Sequence, residues 1–336
     1  MAMSLLMMPT LHVGQGTHLG GLSVFPVWTD APIVSGLATG RAARVQVAER
    51  EGSPVVGELV LKNEGAKPAL LVAGELFEGG WQHRALNHDI LLVPGQQLVA
   101  SVSCVEHGRW HGATAQVRRS RRASMMVRSA QTIADDGDRQ NSVWDRVSGY
   151  DNAFGASPTA SYVDHLNHRA APEATADYDL QGHADYDLQG HAGGDGQVHG
   201  TEAAAVAAAA ELAARIKNIR ALPGQRGVLI GLGGQPAFLE LFASPTGLRR
   251  HLPGLLEAAA IDAALPDPEP TPGRRARRFA GLLADAPIGD ELGTDAGAGH
   301  ALASRSKYHE IRGLGWNDQL LHATVFNRRH HLMEVA

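Results

Sequence analysis
The sequence predicts an α+β protein whose core is an antiparallel β-sandwich or partly closed barrel, with helices contributed mainly by the second half. Three observations lead there. Residues 43–106 hold a series of short apolar or alternating runs separated by turn-forming residues, the mark of antiparallel strands. Residues 201–286 carry alanine-rich and helix-periodic segments. The closing strands after residue 300 lack a self-sufficient core, so they are expected to complete the same body. The 336 residues read as one domain spanning 1–336 with a flexible insertion at about 150–200.

GLSVFPVW (21–28) alternates and reads as a short edge strand, because Pro26 lacks the N–H that a central strand needs. APIVSGLATG (31–40) reads as a helical turn ended by glycine. In ARVQVAE (43–49) Val45 and Val47 alternate with Arg44 and Gln46, giving a strand with one wet face. VVGELVLKN (55–63) and ALLVAGEL (69–76) follow across EGSP and NEGAKP, so the three strands form a meander. The chain then turns at Glu78-Gly79-Gly80, where paired glycines imply positive φ or a close approach. DILLV (89–93) ends at Pro94-Gly95, and QLVASVSCVE (97–106) runs back beside it. In that strand Leu98, Ala100, Val102, Cys104 and Glu106 share one face, and both faces read as largely buried.

From Gln116 to Val147 the pattern turns helical, through RRSRRASMMVRSAQ and then DRQNSVWDRV, with Val143, Trp144 and Val147 on one stripe. The basic run Arg118, Arg119, Arg121, Arg122 and Arg128 reads as a solvated helix face, with phosphate or nucleic-acid contact as the alternative. ADYDLQGH occurs at 176–183 and again at 184–191, a slipped duplication in a tolerant surface loop, since a period of eight is too short for a solenoid. His183, His191 and His199 of that loop would at most scavenge metal. TEAAAVAAAAELAARIKNIR (201–220) is a helix with Thr201 as its N-cap. GVLIGLGGQPAFLELF (227–242) forms two strands around Gly233-Gly234, a hairpin and not a phosphate loop, for it lacks the lysine. SPTGLRRHLPGLLEAAAIDAAL (244–265) and RRARRFAGLLADA (274–286) read as helices, Pro253 marking a kink or a fresh start in the first. GDELGTDAGAG is a loop, and HALASRSKYHEIRGLG and QLLHATVFNRR are closing strands, with Leu321, Ala323 and Val325 alternating against His322, Thr324 and Phe326.

Composition narrows the class. A net charge of -5 and a pI near 6.4 give no global attraction to nucleic acid or membrane surfaces, so neither is expected as a partner. Cys104 is the only cysteine, which excludes an intramolecular disulfide and multi-thiolate zinc and fits a reducing cytoplasm. MAMSLLMMPTLHVG lacks the basic start and apolar core of a signal peptide, and no run approaches the roughly 18 apolar residues of a membrane span. A cytoplasmic location is therefore expected, and a homo-oligomer stays open. No G-x-S-x-G, H-E-x-x-H or kinase signature occurs, and nothing names a cofactor.

Chemically able residues concentrate between Glu75 and Trp110, at the ends of neighbouring predicted strands. Arg84 and Arg109 would each grip a phosphate or carboxylate in a fork. Gln82 would read an amide or base edge, Trp110 would stack, and Gly79 and Gly80 would let backbone approach the ligand. Glu75 and Glu106 are the catalytic candidates, as general base or ribose-hydroxyl ligand. The competing reading makes Glu75–Arg84 and Glu106–Arg109 structural ion pairs, with Trp81 and Trp110 as core caps in a non-enzymatic scaffold. Cys104 would be a nucleophile if His83, His107 or Arg109 activated it, but its apolar neighbours favour a core filler. A metal held by His83, His88, His107 or His111 with Glu106 matches no tight spacing.

GELFEGGWQHR (74–84), the Pro94-Gly95 turn, SVSCVEHGRW (101–110), Gln140 before Val143-Trp144, GQRGVLIGLGGQPAFLELFAS (224–244) and LHATVF together resemble one family, that of the ARG and rhodanese-phosphatase-superfamily-associated protein domain. The resemblance covers nearly the whole chain outside the insertion. It implies an association with ADP-ribosyl-glycohydrolase-type and phosphatase-type enzymes, and so with ADP-ribose or nucleotide metabolism, by analogy alone. The expected function is binding of an anionic small molecule, nucleotide- or ADP-ribose-like, at a pocket formed by the GELFEGGWQHR and SCVEHGRW motifs, with or without hydrolysis.

Overall fold
The structure, a computed structural model, describes residues 5–52, 54–133, 137–170 and 198–333. The duplicated ADYDLQGH segment lies outside the described residues. In chain order, β1 (Leu5–Met7), β2 (Leu11–Val13), β3 (Thr17–Leu19) and β4 (Leu22–Thr29) lead to the two-residue β5 (Ala38–Thr39) and to β6 (Val45–Ala48). Next come β7 (Glu58–Asn63), β8 (Ala69–Leu71), β9 (Glu75–Gly79), β10 (Arg84–Leu86), β11 (Ile90–Leu92), β12 (Gln97–Cys104) and β13 (Gln116–Arg122). Helices α1 (Met125–Ile133), α2 (Arg139–Phe154), α3 (Tyr162–Ala170) and α4 (Val198–Ile216) follow. The hairpin β14 (Gly227–Leu232) and β15 (Gln235–Phe242) precedes α5 (Pro245–Asp262) and α6 (Gly273–Gly281). The last strands are β16 (Pro287–Asp290), β17 (His300–Arg305), β18 (His309–Trp316) and β19 (Gln319–Asn327).

The expected α+β class holds, with antiparallel sheets dominating. A ten-stranded half-barrel runs β1-β16-β17-β18-β19-β15-β14-β4-β2, with β3 also beside β4, so the closing strands join the opening ones in one sheet. Its residues alternate between two cores. Val228, Ile230, Phe238 and Phe242 pack on Leu248, Leu252 and Leu255 of α5, while Leu229, Leu239 and Leu241 pack with Phe279 of α6. Each such side chain contributes about 1.5–3 kcal/mol on burial. Ser244 caps α5 by accepting the Gly247 N–H at 3.1 Å, and Pro253 lies inside that helix.

A second sheet, β13-β9-β10-β12-β7-β6, curls until an Ala48–Ala115 bridge nearly closes it into a small barrel. Leu59, Leu61, Phe77, Leu86, Ala100 and Val102 fill it. The three-stranded sheet β11-β8-β5 supplies Leu71, Ile90 and Leu92 to the same core, and Val127, Val143, Tyr150 and Tyr162 of α1–α3 cover Leu76, Ala85 and Val105 on the barrel wall. Among the described residues no helix is long and apolar enough to cross a membrane.

Several local expectations change. β4 is an interior strand: β3 covers residues 22–24 and β2 covers 27–29, so Pro26, which has no N–H to donate, falls in the gap between their ladders. Residues 31–37 form no helical turn. The meander stops at two strands: β7 pairs with β6 and β12, β8 joins a different sheet, and Gly74, with φ 79°, turns the chain between β8 and β9, so that 69–76 is not one strand. β12 pairs with β7 and β10, not with the 89–93 strand, and Val99 on its outer face is 48% exposed. Gln116–Arg122 is a strand and not a helix, α3 occupies part of the expected insertion, and α4 starts three residues before Thr201.

Candidate functional site
Gly79, Arg84, Cys104, Gln116 and Ala48 mark strand ends at one mouth of the small barrel. Gly79 and Gly80 take φ values of 87° and 57°, and a Cβ at Gly80 would collide with the Gln116 side chain. The turn they make receives Arg109. Its guanidinium grips Glu106 with both ends, Nε to Oε1 at 2.9 Å and Nη2 to Oε2 at 2.6 Å. The remaining N–H groups donate to the carbonyls of Gly79, Gly80 and His111. Arg109 therefore spends its donors on the protein. Glu106 also accepts the His83 N–H and the Thr159 hydroxyl, each at 2.9 Å. Burial pushes its carboxyl up, but Arg109 and His83 outweigh that and hold it below the usual carboxylate range.

Arg84 differs from Arg109. It is fully buried; its Nε donates to the Val56 carbonyl at 2.9 Å, and among the described residues Nη1 and Nη2 have no hydrogen-bond partner. Trp110 lies over it with 5.6 Å from Cζ to the ring centroid, and stands edge-on to Trp81 at 5.3 Å. Trp110 is 43% exposed, so it is a lid on the guanidinium and not a core residue. Around this mouth Glu49 Oε2, Gln82 Oε1 and Gln116 Oε1 are likewise buried without hydrogen-bond partners among the described residues. Gln82 donates to the Glu106 carbonyl at 2.9 Å, and Gln116 bridges Glu49 and the Gln82 carbonyl, so the three share one polar layer.

Cys104 is wholly buried with its thiol on the Glu106 carbonyl at 2.9 Å, and burial pushes the thiol up. Its backbone is clamped by the Gln140 side chain, which accepts the Cys104 N–H at 2.8 Å and donates to its carbonyl at 2.9 Å, as a neighbouring strand would. His83 is pulled down to about 4, mainly by burial, and is neutral at physiological pH. Glu75 is not at the mouth. It lies four residues back along β9, about 13 Å away, where it pairs with Arg118 at 2.7 Å. Of the two ion pairs the scaffold reading required, Glu106–Arg109 forms and Glu75–Arg84 does not. Among the described residues no group of three or more His, Cys, Asp or Glu is placed to hold a metal ion.

A second polar centre escaped the sequence reading. Glu240, mid-strand in β15, is fully buried and bonds Arg128, Arg122 at 3.4 Å, Thr324 at 2.9 Å and His322 at 2.7 Å. His322 bonds Asp89 through its other nitrogen at 2.7 Å. Burial opposes protonation of His322, yet the two carboxylates raise it to about 9; the arginines hold Glu240 well below the usual range against its burial. The network underlies a cavity of about 360 Å³ lined by Asp89, Arg128, Arg305, Arg312 and Thr324. Its members come from the LELF, LHATVF and DILLV runs, and a charged residue inside an apolar run was the available signal.

Fold and mouth together define an α+β protein made of a half-barrel and a nearly closed small barrel, the latter holding, under a tryptophan lid, a buried guanidinium whose terminal nitrogens have no hydrogen-bond partner among the described residues. The chain belongs to the family of the ARG and Rhodanese-Phosphatase-superfamily-associated Protein domain, which it matches over residues 10–184 and 186–326. The break between the two spans falls within the duplicated segment. No curated protein and no solved structure matches the chain.

Proposed function
We propose that the protein binds an anionic small molecule, nucleotide- or ADP-ribose-like, at the mouth of the small barrel. The observation that carries this is Arg84, a buried cation whose two terminal nitrogens have no hydrogen-bond partner among the described residues. Such groups are costly to keep, and an anion is the partner that removes the cost. Binding exchanges the Trp110 face for the ligand's phosphate or carboxylate, and frees Trp110 to stack on a base or sugar. Gln82, Gln116 and Glu49 offer acceptors to its hydroxyl or amino groups. Arg109, Glu106, Gly79 and Gly80 shape the rim without touching the ligand. Hydrolysis has no support from geometry here, because Glu75 and Glu106 are apart and each is held by an arginine.

A thermal-shift series with ADP-ribose, ADP and AMP tests the reading, using the wild type, Arg84→Met and Trp110→Ala. Stabilisation by at least one nucleotide, lost in Arg84→Met and weakened in Trp110→Ala, is the expected outcome. No shift with any compound, or shifts indifferent to Arg84→Met, would overturn it.

A further inference from the structure
β13 carries a second basic surface, on a different part of the barrel wall. Its ladder with β9 slips: Arg118 faces Phe77 and Arg122 faces Glu75, so Arg119, Ser120 and Arg121 together oppose Leu76. The bulge divides the basic run. Arg118 and Arg122 turn inward to Glu75 and Glu240, whereas Arg119 and Arg121 turn outward. Ser120, at the crest, has φ 59°, a left-handed conformation uncommon for a residue with a Cβ. Helix α5 meets this crest at Gly254, where any Cβ would strike the Ser120 carbonyl oxygen, and the adjacent Pro253 interrupts the helix hydrogen bonds. Strained backbone held this firmly is a feature of binding sites.

Where α5, the bulge and the end of α4 converge, a cleft of about 1280 Å³ opens. Arg41, Lys217, Arg220, Arg249 and Arg250 line it, and none has a carboxylate partner among the described residues. Arg119 and Arg121 also line it and share Glu78, and Arg121 reaches Glu257 at 3.3 Å. Among the described residues, seven cations thus meet two carboxylates, a local excess of five positive charges on a chain whose net charge is -5. The cleft exceeds the roughly 300–1,000 Å³ of ordinary ligand pockets, which leaves room for an anion longer than one phosphate. Ile216, Leu252 and Pro253 contribute aliphatic surface, and among the described residues no aromatic ring lines the cleft on which a nucleobase would stack.

We infer that this cleft binds a polyphosphate group, a chain of three or more phosphates carried by a small molecule. Guanidinium forks match successive phosphates along the chain, and uncompensated cations hold it without displacing internal ion pairs. Titration calorimetry of the full chain with inorganic tripolyphosphate tests this, at low salt and again at high salt. The test uses the wild type and the double variant Arg249→Gln, Arg250→Gln, two exposed positions on α5 whose replacement leaves the fold intact. Saturable binding is expected, weakened about tenfold or more in the double variant, screened by salt and unchanged in Arg84→Met. Orthophosphate should bind about tenfold more weakly or worse, and single-stranded RNA should compete poorly. Absence of binding, or equal affinity in the double variant, would refute the inference. So would equal affinity for orthophosphate, or RNA binding tighter than tripolyphosphate. Loss on Arg84→Met would assign the ligand to the barrel mouth instead, so the two sites fail separately.

Discussion

Replacing Arg84 by methionine should stabilise the ligand-free protein, the reverse of what removing a buried arginine usually does. Two donor-bearing nitrogens are buried without hydrogen-bond partners among the described residues, and each such group costs about 1–3 kcal/mol. Against this stand the bond from Nε to the Val56 carbonyl, about 1 kcal/mol, and the Trp110 ring, up to about 2 kcal/mol for a desolvated contact. Methionine keeps most of the stem's packing against the barrel core, although it leaves some volume unfilled. The balance favours the variant by about 1–2 kcal/mol. Urea unfolding at neutral pH, read by circular dichroism, measures it as a higher midpoint at unchanged slope. A destabilisation beyond about 2 kcal/mol would show that Arg84 has structural partners and that its charge is not waiting for a ligand.

Other substitutions should behave conventionally. Glu240→Gln removes the carboxylate shared by Arg122 and Arg128 and leaves His322 with Asp89 alone, and should cost about 3–5 kcal/mol, a large share of the roughly 5–15 kcal/mol typical of native proteins; denaturant unfolding with a loss under about 1 kcal/mol would contradict it. His322 is raised to about 9 from an unfolded value near 6.5, so its contribution is complete below pH about 6.5 and is lost as pH climbs through about 9. Wild-type stability measured between pH about 6 and about 10 should therefore fall more steeply than that of His322→Gln, and parallel curves would remove the network's role. Arg109→Ala, which strands the buried Glu106 carboxylate, should destabilise by about 3–5 kcal/mol, and restoration of stability as pH drops and Glu106 protonates is the corroborating sign. Cys104 should react with a thiol reagent only on unfolding; rapid modification of the native chain would show that its burial is incomplete.

Strands were legible one by one because alternation survives in short runs such as Val45 to Val47 or Leu321 to Val325, and so were the adjacent pairs β6–β7 and β14–β15, but the more distant partners were not. ALLVAGEL reads as one strand since nothing in it but Gly74 marks a turn, and the reason for that glycine, the Arg128 side chain packed against its Cα, lies far along the chain. RRSRR looked helical because arginine has good helix propensity, yet pairing with β9 overrides that preference. The barrel mouth was legible because Gly79, Gly80, Gln82, Arg84, Glu106, Arg109 and Trp110 cluster at strand ends, and all of these converge there. Which arginine is free was not legible, since Arg109 closes its own turn through contacts that only the folded loop creates. Glu240, His322 and Asp89 lie in three distant apolar runs, and their relation exists only once β15 and β19 pair and Asp89 comes against them.

The central claim rests on one guanidinium, and isothermal titration of ADP-ribose and ADP into the wild type and into Arg84→Met tests it most directly. Saturable binding to the wild type, abolished in a variant that is folded and at least as stable, is the predicted result. Equal binding to both proteins, or none to the wild type while its Trp110 lid and Arg84 are intact, would contradict it.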